Sequence, residues 1–94
     1  MLNTLQVVIF SSTNCPHCTQ TKHLFNNLQI APKIIELNLL PNGLGPNENS
    51  IAMNLYQLTN QKTVPNVFVR GRHLGGNEEV WGLYRTGELE CLLL

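Results

Sequence analysis

Apolar positions along the chain alternate between two regimes. Residues 5–11 (LQVVIFS) are β-branched and apolar apart from Gln6 and the closing Ser11, the composition of a buried strand. The period then changes. Between Pro16 and about Leu28, positions Cys18, Thr21, Phe25 and Leu28 recur at spacings of three and four, which predicts a helix with one buried face. Thr13 and Asn14 supply caps before it, and Pro16 suits a first helical turn. Ala31-Pro32 breaks the pattern, and residues 33–39 (KIIELNL) predict a second strand. Residues 40–49 hold two Pro and two Gly and predict a loop. A second helix is expected from about Glu48 to Leu58, with Ile51, Leu55 and Leu58 on one face. Residues 63–69 (TVPNVFV) predict a third strand, Arg70-Gly71-Arg72 a hairpin turn, and residues 73–75 a short fourth strand. Asn77 then caps a third helix, with Glu78 and Glu79 in its first turn, where negative charge suits the helix dipole. Gly87 ends it, and residues 88–94 predict a last helical turn or two.

The order β-α-β-α-β-β-α makes the first βαβ unit a right-handed crossover between parallel strands, and the third and fourth strands an antiparallel hairpin. The expected product is an α/β fold: a four-stranded mixed sheet flanked by helices on both faces. The 94 residues fit a single domain, with no repeat or linker. Six basic residues balance six acidic ones, all Glu, and no Lys or Arg run appears. A nucleic-acid partner and a charged membrane surface are therefore not expected. No apolar run approaches the ~20 residues of a membrane helix, and the start has no secretory pattern, so a cytoplasmic location is expected.

The chemistry centres on cysteine. There are three, Cys15, Cys18 and Cys91, too few and too odd a number for a disulfide framework. Cys15-Pro16-His17-Cys18 falls at a strand-to-helix junction, where free backbone N–H groups stabilise a thiolate. Cys15, at the very start, is open to a substrate disulfide. Cys18 lies on the buried face within reach of Cys15, the place of a resolving thiol. A structural zinc site is the competing reading, but it wants four ligands and usually a second Cys/His pair, which Cys91, His17, His23 and His73 do not form. No metal is expected. Thr63-Val64-Pro65 opens a strand with a residue that lacks a ladder donor. A trans Pro on an edge strand and a cis bond beside a ligand both fit; in the second case Val64 offers backbone groups to a peptide-like substrate. Gly75-Gly76-Asn77-Glu78 reads either as a plain capped turn or as a backbone that lets a carboxylate approach the helix start.

Taken in order, VVIFSSTNCPHC, KIIELNLLPNG, LTNQKTVPNVFVRGRHLGGNEEV and YRTGELE resemble the glutaredoxin family, most closely its dithiol members, over nearly the whole chain. The resemblance implies a thioredoxin-like fold, a cis Val64–Pro65 bond, and a glutathione-dependent disulfide oxidoreductase. Its partners would be glutathione and glutathionylated or disulfide-bonded proteins, met by a monomer with glutathione as co-substrate and no tightly bound cofactor. Cys15 would be the nucleophile and Cys18 the resolving thiol. Glutathione would lie against Cys15, Pro16, His17, Lys62, Thr63, Val64 and Pro65, with Lys62 pairing a carboxylate and the Val64 backbone holding the cysteinyl part. Gly76, Asn77 and Glu78 would surround the γ-glutamyl end. Two residues depart from the family: Ser12 stands where a Lys is usual, and His17 where a Tyr is frequent. Two other functions stay open. One is a dimer holding a [2Fe–2S] cluster through Cys15 and two glutathiones, which Pro16 disfavours by stiffening the loop. The other is an electron donor dedicated to one partner reductase.

The remaining candidates read as structural. His23 and His73 have no partner at metal spacing and are expected at the surface or a sheet edge. Lys22 is expected as a solvated helix charge, Trp81 and Tyr84 as packing residues, and Cys91 as an inert, partly buried thiol.

Overall fold

The computed structural model describes residues 7–45 and 49–94. Strand β1, Val7–Ser11, alternates buried and half-buried positions, with Val7, Ile9 and Ser11 turned inward. Helix α1 is Pro16–Asn27, β2 Lys33–Glu36, α2 Ile51–Thr59, β3 Asn66–Val69, β4 Arg72–Gly75, α3 Asn77–Arg85 and α4 Glu88–Leu92. The sheet runs β2-β1-β3-β4, with β1 parallel to β2 and antiparallel to β3, and β3 antiparallel to β4. This is the four-stranded mixed sheet expected from the element order, and the thioredoxin-like arrangement that the resemblance implies.

The core lies on one face of the sheet. Val7, Ile9, Val67 and Val69 meet Leu24 and Phe25 of α1, Val80 of α3 and Leu89 of α4. Burying a side chain of this size contributes about 1.5–3 kcal/mol, which is why the apolar strand runs and the helical three-and-four spacing meet in one core. On the opposite face, Leu55 of α2 borders a groove with Phe10, Ile35 and Phe68.

Several boundaries differ from the pattern. Residues 5, 6 and 48 lie outside the described residues. Residues 37–39 leave the strand as a single 3-10 turn, Leu37–Leu39. Asn38 there accepts from the Thr13 N–H at 3.1 Å and donates to the Thr13 hydroxyl, at 2.6 Å, tying the turn to the loop before α1. Helix α2 starts after Ser50, whose hydroxyl accepts from the Met53 N–H at 3.1 Å. Its predicted stripe is incomplete: Leu55 is buried but Leu58 is 80% exposed, on the open rim of the groove. Strand β3 begins only at Asn66, because the Gln61 amide takes the Thr63 and Pro65 carbonyls, each at 2.9 Å, in place of a strand neighbour. The hairpin turn is Arg70-Gly71, both at positive φ, and Arg72 already belongs to β4.

Helix caps also moved. Cys15, not Thr13 or Asn14, is the N-cap of α1, and its own Sγ accepts from the Cys18 N–H. Gly76, not Asn77, is the N-cap of α3. Glu79 Oε1 accepts the Gly76 N–H at 2.8 Å, the returning half of a capping box. Lys22 is not a solvated charge: it forms a half-buried ion pair with Glu36 at 2.9 Å. Cys91 is exposed rather than partly buried. His73 sits on the edge strand, half-buried, with its ring 5.2 Å from that of Phe68. Trp81 and Tyr84 pack edge to face at 5.7 Å.

Candidate active site

The end of β1 and the start of α1 bring the two thiols together. Cys15 is half-buried; Cys18 is completely buried. The Cys15 Sγ accepts the Cys18 N–H at 3.1 Å, and its thiol points at the Val64 carbonyl at 3.7 Å. A sulfur that caps a helix faces N–H groups with no intrahelical partner, which favours negative charge on it. Cys18 is in the opposite situation. Its burial withholds water from a thiolate, and with the neighbouring Cys15 it pushes the Cys18 pKa up to about 11, against smaller opposing contributions from the Ser12 backbone and the Ser11 hydroxyl. One thiol is thus placed to attack and the other to wait as a neutral S–H.

Beside Cys15 runs a groove of about 320 Å³ lined by His17, Thr63, Val64, Pro65, Gly76, Asn77, Glu78 and Glu79. Residues 63–65 form one wall, and the Val64–Pro65 bond is cis. The start of α3 forms the other wall. Gly75 sits at φ +116°, and a Cβ there would come within 2.9 Å of the Glu79 side chain. At Gly76 a Cβ would crowd the Glu79 carboxylate and the Pro65 carbonyl at 3.3 and 3.4 Å. The glycine pair therefore lets the helix start close on the Pro65 strand. A second, adjoining groove of about 630 Å³ shares His17, Asn77 and Glu78 and continues over Gln20, Trp81 and Arg85.

The fold thus gathers seven of the expected positions, namely His17, Thr63, Val64, Pro65, Gly76, Asn77 and Glu78, around one groove. Pro16 is exposed as the first residue of α1. Lys62 lies elsewhere: it is exposed, off the groove wall, with Nζ 5.0 Å above the Tyr56 ring. The Asn77 amide is already engaged by α1, accepting from the Thr21 hydroxyl at 2.7 Å and donating to Gln20 at 2.8 Å. Glu79 lies outside the expected set, and Gln61 was expected only as a substitute for Lys62. The spacing of Glu79, three residues after the cap, was a readable capping signal. Nothing local marks Gln61, whose two acceptors are defined by the path of the 63–65 segment.

The family model for glutaredoxin matches residues 7–74. The chain belongs to the glutaredoxin family. Among glutaredoxins, the chloroplastic glutaredoxin-C5 of Arabidopsis thaliana is 45% identical over 87 residues, which are 93% of this chain but 48% of that protein. A glutaredoxin of Vernicia fordii is 40% identical over 99% of this chain and 85% of its own length. The chain thus spans about half of the first relative and most of the second. In structure it is similar to a buckwheat glutaredoxin–glutathione complex, with a TM-score of 0.87 and 38% identity, covering 97% of this chain and 78% of that one. It is also similar to the holo form of glutaredoxin C1 from Populus tremula x tremuloides, with a TM-score of 0.86 and 34% identity over 93% and 81% of the two chains.

Proposed function

We propose that this glutaredoxin-family chain is a glutathione-dependent thiol–disulfide oxidoreductase with Cys15 as nucleophile and Cys18 as resolving thiol. The observation that carries the reading is the asymmetry of the pair: a half-exposed sulfur capping a helix beside a groove, and a fully buried neutral thiol one turn behind it. The similarity to a glutaredoxin solved with glutathione supports that tripeptide as the occupant of the groove.

In the monothiol route, the Cys15 thiolate attacks the glutathionyl sulfur of a protein–glutathione mixed disulfide. The old S–S bond breaks, and the protein thiolate leaves with the electron pair and takes a proton from solvent. A second glutathione thiolate then attacks the glutathionyl sulfur on Cys15, which releases glutathione disulfide and regenerates the Cys15 thiolate. In the dithiol route Cys15 forms a mixed disulfide with a substrate protein, and Cys18 displaces that protein by closing the Cys15–Cys18 bond. Two glutathiones reduce the enzyme again.

The Val64 backbone, whose carbonyl already faces Cys15, is placed to hold the cysteinyl part of glutathione, with Thr63 and Pro65 beside it. The α3 start, with Gly76 and the Glu78 backbone, is suited to a carboxylate. Lys62 would pair the other carboxylate by leaving the Tyr56 ring. A glutathione-coupled disulfide reductase assay tests the assignment. Cys15→Ser should abolish all turnover, whereas Cys18→Ser should retain activity on glutathione mixed disulfides and lose most activity on protein disulfides. Equal loss on both substrates in Cys18→Ser would refute the division of roles.

A further inference from the structure

Strands β1 and β2 are parallel, with Ser11 beside Glu36, so the chain leaves both at the same end of the sheet. The loop that carries Cys15 follows β1, and residues 37–44 follow β2. Asn38 ties the two together: its side chain accepts the Thr13 N–H at 3.1 Å and donates to the Thr13 hydroxyl at 2.6 Å. Thr13 lies inside the turn that the Cys15 N–H closes on the Ser12 carbonyl at 3.2 Å. The residues after Asn38 are apolar and uncovered. Leu39 is 68% exposed, Leu40 40% and Leu44 50%. The Gly43 N–H returns to the Leu40 carbonyl at 3.2 Å, a turn that folds Leu44 back toward Leu40. Leu44 also lines, with Leu37, Thr63 and Val64, a cavity of about 30 Å³. Thr63 and Val64 line the groove assigned above to glutathione as well. One backbone segment thus borders both the groove and the leucines, and its Val64 carbonyl lies 3.7 Å from the Cys15 sulfur. Among the described residues seven large apolar side chains are exposed, and three of them fall within positions 39–44. Single exposed leucines are ordinary; a cluster beside a nucleophile marks a contact surface.

We propose that Leu39, Leu40 and Leu44 form a docking ledge for the protein part of the substrate, selecting cysteines flanked by apolar side chains. The inference rests on the oxidoreductase reading above and deepens it by naming the class of protein substrate. In a protein–glutathione mixed disulfide one S–S bond of about 2 Å joins the two partners. With the tripeptide in the groove, the protein chain has to cross the surface around Cys15 that glutathione leaves free. The leucines are the apolar part of that surface, and it is continuous with the groove through Thr63 and Val64. Residues 37–45 (LNLLPNGLG) hold no charged side chain. A charged flanking residue laid on them would lose water and gain no partner, whereas an apolar one gains burial. An extended segment advances about 3.3 Å per residue, so the side chains two and three positions from the cysteine are the ones that reach past the Val64 wall. The exchange chemistry is unchanged; the ledge acts on the binding and orientation of the protein thiol that leaves.

The test measures kcat/KM on three S-glutathionylated substrates: cysteamine, which has no flanking residues; a short peptide with leucine at the second and third positions on each side of its cysteine; and the same peptide with serine there. Wild type, Leu39→Ser and Leu44→Ser are compared. Partial burial of one leucine is worth about three- to tenfold, so the wild type should prefer the leucine peptide to the serine peptide by about tenfold or more. Each variant should cut that preference at least about threefold and keep its rate on glutathionylated cysteamine within about twofold. Leu39 is the more exposed of the two, so if Leu44→Ser fails to fold, Leu39→Ser decides alone. A wild type that handles the two peptides equally, or a preference that either folded variant keeps in full, would overturn the proposal. An equal fall on all three substrates would do the same, since it is the mark of a disturbed Cys15 loop. Sedimentation at the assay concentration tests the other occupant: a dimer that Leu39→Ser dissolves would assign the leucines to a second copy of the chain and overturn the proposal. A wild type inactive on glutathionylated cysteamine would instead overturn the oxidoreductase reading, and this one with it.

Discussion

Because Cys18 is sealed in the fold, it should make the protein fragile to alkali in a measurable way. Its thiol has an ordinary value of 9.0 and is pushed to about 11 by burial and by Cys15. Below pH 9 the thiol is protonated whether folded or unfolded, and its contribution to stability is fully present. Between 9 and 11 the unfolded chain releases this proton while the folded chain keeps it, so the unfolded state binds fewer protons and stability falls with pH. Two pH units at about 1.4 kcal/mol each give a loss of about 2–3 kcal/mol. In a chain of 94 residues that corresponds to a fall of roughly 10–20 °C in melting temperature. Both states of the chain carry other ionisable groups, so the quantity to measure is a difference. Denaturant unfolding of the wild type and of Cys18→Ala is followed from neutral pH to pH 11 under a phosphine reductant, which keeps the Cys15–Cys18 bond open. The variant shows a constant offset from the cavity left by the sulfur. The difference in unfolding free energy should stay level to about pH 8.5 and then shrink by about 2–3 kcal/mol. A difference that remains level to pH 11 would refute the burial argument, and with it the account of why Cys18 waits as a neutral thiol.

Three further outcomes are expected. The Glu36 carboxyl feels burial, which raises its pKa, but the hydrogen bond and charge of Lys22, helped by the nearby Ser11 hydroxyl, win and hold it below its ordinary value of 4.5; Lys22→Met should therefore cost about 1–2 kcal/mol at neutral pH, discounted for partial exposure, and the cost should fade as Glu36 becomes protonated, on acidification through 4.5 and below, in urea melts. Gly43→Ala should destabilise by at least about 3 kcal/mol or prevent folding, because its Cβ would lie 1.9 Å from the Leu37 carbonyl oxygen, a backbone atom that cannot swing aside; circular dichroism melts check this. Gln61→Ala removes two hydrogen bonds that brace the 63–65 wall, each worth about 1 kcal/mol, and should raise the Michaelis constant for glutathione severalfold while leaving the alkylation rate of Cys15 unchanged.

The amino-acid sequence by itself determined the order of elements, the buried face of the first helix and the position of the thiol pair at a strand-to-helix junction. Those are properties of short windows. The apolar run at residues 7–10, the three-and-four spacing of Cys18, Thr21, Phe25 and Leu28, and a Pro after Cys15 each act over a short stretch of backbone, and burial rewards all of them together. The ordered set of motifs also carried the family. What only the tertiary structure decided was which polar side chain meets which. Lys22 looked like a free surface charge until the β1–β2 register put Glu36 under it, 14 residues along the chain. Asn77 looked like a helix cap until α1 claimed its amide from 57 residues away, and Lys62 rests with its ammonium over the Tyr56 ring. Leu58 matched the apolar stripe of α2, yet nothing covers it. Hydrophobic burial is additive and non-directional, so a pattern along the chain predicts it. A hydrogen bond or ion pair needs one partner at one distance, and that distance exists only after the sheet register and the helix packing have been set.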